Sequence, residues 1–110
     1  MVKFDSTVLD YTFIALADPT RRALLDRLTR GDLSIGQLAE PFRMSLVAVS
    51  KHLSMLERAG LVRRRRKGRV RYCTLTPRPM KDAAAWIARY RRFWEQQLDQ
   101  LARYLETHSE

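Results

Sequence analysis

Between Arg63 and Arg71 the chain places seven cations, Arg63, Arg64, Arg65, Arg66, Lys67, Arg69 and Arg71, with no acid among them. Neighbouring cations repel, and an ordinary solvated face mixes both signs to avoid that cost. The run therefore calls for an anionic partner. The phosphates of a nucleic-acid duplex supply one, as does a narrow minor groove that takes up an arginine. Other chemistry finds little support. No Gly-rich phosphate loop and no nucleophile–base–acid set is present, and two histidines, His52 and His108, are a thin supply for acid–base work. No catalytic residue and no cofactor is expected. The single cysteine, Cys73, can form neither an internal disulfide nor, alone, a zinc site. It shares strand parity with Leu75, which makes it a small buried apolar residue rather than a redox switch.

A second set of candidates lies upstream. At 100° per residue, Val49, Leu53 and Leu56 form one helical stripe, Val47, Lys51, Ser54 and Arg58 fall opposite, and Ser50 flanks them. Such a helix can sit on a core by one side and enter a major groove with the other. Lys51 suits a phosphate or a guanine edge. Ser45 and Ser50 suit phosphates or bases, and Val47 and Ala48 suit a thymine methyl. His52, at the border of the stripe, is expected to pack or to bond the hairpin or a phosphate. The expected contacts to double-stranded DNA are therefore Ser45, Val47, Ala48, Ser50, Lys51 and Ser54, joined by Arg64, Arg66, Lys67, Arg69 and Arg71.

The scaffold that positions them is small. Its 110 residues have room for one modest core, so 1–110 reads as a single domain. Hydrophobic residues at 45% and charged residues at 30% are a globular balance. A net charge of +9 and a pI near 10.6 are not ordinary, and point to nucleic acid or an acidic membrane surface. No apolar run is long enough to span a bilayer, and the opening Met1-Val2-Lys3-Phe4-Asp5 lacks a signal-peptide pattern. With one cysteine, these features lead us to expect a cytoplasmic protein without membrane insertion.

Helical spacing runs over 6–17 through Leu9, Phe13, Ile14 and Leu16. Asp18 then caps a helix with Pro19 at its first position; it should bury Ala23, Leu24 and Leu28 and stop near Gly31. Ser34 caps a short third helix over about 35–40, with Ile35, Leu38 and Ala39 inward and Pro41 at its end. Ser45 caps a fourth helix that runs to about Ala59. Strands are expected over 61–66 and 69–76, joined at Lys67-Gly68. After the break Thr76-Pro77-Arg78-Pro79, a long amphipathic helix covers about 80–106. The expected fold is mainly α with a small β-hairpin, ordered α-α-α-α-β-β-α: a winged helix-turn-helix.

Four stretches of the sequence strengthen that reading: Ala15-Leu16-Ala17-Asp18-Pro19-Thr20-Arg21-Arg22, Val49-Ser50-Lys51-His52-Leu53, Leu56-Glu57-Arg58-Ala59-Gly60-Leu61-Val62 and Lys67-Gly68-Arg69. Together they resemble the ArsR family of winged-helix repressors over roughly residues 10–76. The resemblance implies a homodimer built from the first and last helices, with recognition helices in successive major grooves of operator DNA, often the protein's own promoter. The residues expected at the dimer interface are Leu9, Phe13, Trp86, Ile87, Tyr90, Trp94, Leu98 and Leu101. The aromatic set Trp86, Tyr90, Phe93, Trp94 and Tyr104 is too apolar to be left in water; the other reading of it is a pocket for an apolar effector between subunits. Two departures stand out. Residues 33–40 carry no thiol and the last helix offers only scattered acids and His108, so no metal site is expected. Leu46 and Val47 stand where relatives commonly place polar residues, which leaves the operator sequence open. Two alternatives remain: a nonspecific architectural DNA-binding protein, or a regulator sequestered by a protein partner through its aromatic terminal helix.

Overall fold

Short-range capping fixes where the helices begin. A computed structural model describes residues 6–108; the stretch 1–5, on which the signal-peptide expectation rested, lies outside the described residues. The elements are α1 (Ser6–Leu16), α2 (Pro19–Leu28), β1 (Leu33–Ser34), α3 (Ile35–Ala39), α4 (Leu46–Arg58), β2 (Val62–Lys67), β3 (Val70–Leu75) and α5 (Arg78–His108). The Asp18 carboxylate accepts the Arg21 amide at 3.0 Å, and Pro19 follows with its φ already helical. Ser34 and Gln37 satisfy each other's amides at 3.1 and 2.9 Å, a full capping box at the start of α3. Ser45 Oγ accepts the Ala48 amide at 3.1 Å.

The core gathers Leu24, Leu28, Leu38, Val49, Leu53, Leu56 and Leu61, all buried. Each leucine so buried contributes about 2 kcal/mol, so the Val49–Leu53–Leu56 stripe sets the roll of α4. Replacing Leu53 by alanine would cost about 2–5 kcal/mol through the cavity left behind. In α2 the buried set is Leu24, Leu25 and Leu28, with Ala23 only half-buried, so the inward face is rotated slightly from the one expected.

The sheet has three antiparallel strands in the order β1-β3-β2, one more than the expected hairpin. The added strand is two residues long, too short to show any alternation. It pairs Leu33 with Cys73 and Ser34 with Tyr72, and so anchors the start of α3 to the hairpin. The hairpin turn is Gly68-Arg69 rather than Lys67-Gly68, because Lys67 pairs with Val70. Only the glycine has positive φ, +65°, the pattern of a type II′ turn that matches strand twist. At the other end of β3, α5 starts at Arg78, ahead of the expected position. Pro79 falls in its first turn, where a missing N–H costs nothing, and only Thr76-Pro77 breaks the chain. At 31 residues α5 is about 46 Å long.

Candidate nucleic-acid interface

The roll of α4 leaves Ser45, Leu46, Val47, Lys51, Ser54 and Arg58 exposed, with Ala48 and Ser50 half-buried. Val47 is 66% exposed, which is costly for a β-branched apolar side chain unless something covers it. Lys51 has no hydrogen bond or ion pair among the described residues.

Strand register sorts the wing cations onto two faces. Residues opposite each other across β2 and β3 share a face, so Val62, Arg64 and Arg66 stand with Leu75, Cys73 and Arg71. Arg63, Arg65 and Lys67 stand on the other face with Thr74, Tyr72 and Val70. The first face begins in the core at Val62 and Cys73 and ends in solvent at Arg66 and Arg71. Arg66, Lys67, Arg69 and Arg71 are exposed and have no partner among the described residues; Arg63 matches them in this, although it was not among the expected contacts. Arg65 instead pairs with Asp32 at 3.0 Å, in an open hollow that Arg66, Lys67 and Tyr72 also line.

Arg64, Ser50 and Ser54, each expected at DNA, meet one another. Arg64 Nη1 donates to Ser50 Oγ at 3.1 Å, and Nη2 donates to the Ser50 carbonyl at 2.9 Å and to Ser54 Oγ at 3.1 Å. Its Nε lies 2.7 Å from Glu57 Oε1, but the N–H is not directed along that line, so this contact is an ion pair without a well-formed hydrogen bond. The Arg64 side chain is 18% exposed. The physical reason is parity: a long cation on the same face as buried Val62 must turn toward α4. Glu57 was missed as its partner, because parity gives the face of Arg64 but not the helix residue that meets it.

Of the roles expected for it, His52 takes the packing one, turned to the α1–α2 corner and away from the wing. Its Nδ1 lies 3.4 Å from Arg21 Nη1 and 3.8 Å from Asp18 Oδ2. Arg21 also closes the end of α1, donating to the carbonyls of Ala15 at 2.7 Å and Ile14 at 2.9 Å. This cluster ties α4 to the α1–α2 corner. The Arg21 amide, with smaller help from His52 and the Arg21 charge, holds the Asp18 carboxyl below its ordinary range. Cys73 is fully buried, and burial pushes its thiol up.

Of the expected interface residues, Leu9 is buried within the protomer at 9% exposure, so it supports α1 rather than lying open. Phe13 meets Trp86 edge-on at 5.7 Å, and Trp86 meets Tyr90 at 5.1 Å. Ile87, Trp94, Leu98 and Leu101 remain exposed along α5, Trp94 at 61% and Leu98 at 63%. Among the described residues no helix is long and apolar enough to cross a membrane.

A profile described as a helix-turn-helix domain matches residues 16–65. The transcriptional repressor SdpR of Bacillus subtilis is 35% identical over 82 residues, covering 74% of this chain and 91% of SdpR. The HTH-type transcriptional regulator Rv2034 of Mycobacterium tuberculosis is 39% identical over 98 residues, 89% of each chain. The crystal structure of the ArsR family transcriptional regulator RHA00566 superposes with a TM-score of 0.78 at 42% identity, covering 86% of this chain and 97% of that one. These likenesses span the recognition helix and wing together, in a class of proteins that regulate transcription and are not enzymes. The chain belongs to the ArsR family of winged helix-turn-helix, DNA-binding transcriptional regulators.

Proposed function

We propose that two copies of this chain occupy one operator and repress transcription, each with α4 in a major groove and its wing on the flanking backbone. The observation that carries this reading is the wing tip. Arg66 and Arg71 face each other across the ladder, beside Lys67 and Arg69, and none has a partner among the described residues. Facing like charges destabilise a hairpin; duplex phosphates relieve that repulsion and release counterions. On α4, Lys51 reaches a guanine edge or a phosphate, Ser45 a phosphate, and Val47 and Ala48 a thymine methyl. The half-exposed apolar face of α5, with Phe13 and Trp86, pairs the subunits. Regulation is independent of metal. Soft-metal sensing needs converging thiolates or imidazoles, and the sequence supplies one cysteine, Cys73, and two histidines, His52 and His108.

The test starts from duplexes selected by the purified protein out of random sequence. The selected site should be palindromic and bound about 10³-fold or more tightly than random duplex, with both affinities falling steeply with salt. Lys51→Ala should narrow that ratio, whereas Arg69→Ala should weaken both and lower the salt slope by about 1. Equal affinity for selected and random DNA makes the protein an architectural DNA-binding protein instead. Adding zinc or a chelator should move neither affinity, and a shift on metal addition overturns metal independence.

A further inference from the structure

Two wing cations have their charge matched within the chain: Arg65 pairs with Asp32 at the hairpin's open face, whereas Arg64 pairs with Glu57 and turns both terminal nitrogens onto α4. The Arg64 guanidinium reaches from β2 to three residues spaced along one side of α4, Ser50, Ser54 and Glu57. The network is ordered in a particular way. Ser54 Oγ donates its proton to the Ser50 carbonyl at 3.0 Å and accepts from Arg64, so that hydroxyl has both its donor and an acceptor position engaged. Ser50 Oγ accepts from Arg64 but donates to nothing among the described residues, so the guanidinium leaves its proton for another acceptor. A planar fork bonded at several points on another element fixes an angle in a way a single flexible ammonium does not.

We infer that Arg64 is a positioning residue, not a phosphate contact: it sets the wing against the recognition helix so that both meet one duplex, and it orients Ser50 as a hydrogen-bond donor to DNA. This rests on the operator-binding reading above. A charge neutralised by Glu57 adds little to counterion release, so Arg64 should differ from the wing-tip cations in salt dependence, not merely in size of effect.

The experiment compares Arg64→Met, Arg64→Lys, Glu57→Gln and Arg69→Ala in the full chain, on the selected operator, across a salt series. Thermal unfolding is followed in parallel. Arg64→Met and Arg64→Lys should both weaken binding about tenfold, the usual size of loss when a coupled network is cut, with the salt slope unchanged. Hydroxyl-radical protection should fade at the wing's flanking positions and persist under α4. Glu57→Gln should also weaken binding, whereas a phosphate-seeking arginine freed from its acid would tighten it. Arg69→Ala should lower the slope by about 1. A slope lowered in Arg64→Met, rescue by lysine, or tighter binding by Glu57→Gln overturns the inference, as does a folded Arg64→Met protein with wild-type affinity. If Arg64→Met does not fold, Glu57→Gln decides by the sign of its effect. Should the parent protein show no salt slope and no operator preference, the operator-binding reading itself has failed, a distinct outcome.

Discussion

Cys73 shows how position decides what a reactive group can do. Its thiol is fully buried in the central strand, with Leu33 and Arg64 as its Cα partners on either side. Burial raises its pKa, the Glu57 carboxylate adds to that, and the Arg64 cation opposes it without prevailing. A raised pKa favours the neutral thiol in the fold, while alkylation and oxidation require the thiolate. Native protein at pH 8 should therefore react with iodoacetamide several-fold more slowly than the same chain in denaturant, timed by mass spectrometry. Dilute peroxide should leave operator affinity unchanged. Equal native and denatured alkylation rates would mean that the thiol is accessible, and a redox role would reopen. The pairing of Arg64 with Glu57 matters at this scale too, because the same two charges act on Cys73 and hold the wing.

Elements were legible in the sequence wherever their signal was local. Asp18, Ser34 and Ser45 cap the helices they were expected to cap, because a side chain reaching an amide three residues on needs no tertiary partner. The α4 stripe was legible for the same reason: periodicity identifies the buried face by itself. β1 was not legible, since two residues carry no period and pair only because β3 offers an edge. The fate of Arg64 was half legible. Parity gives its face, but its partners lie on another element, seven to fourteen positions back, and seven cations within nine residues look alike in one dimension. The turn is testable at this scale. Gly68 holds φ +65°, where a β-branched residue meets its own carbonyl, although nothing lies within 4 Å of an added Cβ. Gly68→Val should cost about 1–2 kcal/mol by backbone strain alone, read as a lower denaturant midpoint with an unchanged m-value. A midpoint equal to that of the parent would remove the positive-φ account of the turn.

The whole molecule poses a question that one protomer does not answer: α5 runs for 31 residues but is buried only near its start. Pro79 and Ala83 are its buried residues, while Trp94, Leu98, Leu101, Tyr104 and Leu105 are all more than half exposed. An apolar face of that extent is unfavourable in water, and in the pairing proposed above a second copy would cover it with the same face by two-fold symmetry. The same symmetry would suit the proposed operator, since half-sites about 34 Å apart, as dimeric helix-turn-helix proteins read them, need two helices held at a fixed separation. A double substitution, Trp94→Glu with Leu98→Glu, separates this role from folding, because both side chains already lie largely in solvent within the protomer. The variant should sediment as a monomer at concentrations where the parent is a dimer. Its affinity for the full palindrome should drop steeply, through loss of the second, effectively intramolecular contact. Its affinity for random duplex should fall far less, because wing and α4 remain intact in each copy. A variant that remains dimeric places the interface elsewhere, and a monomer that holds the palindrome as tightly as the parent removes the need for a pair.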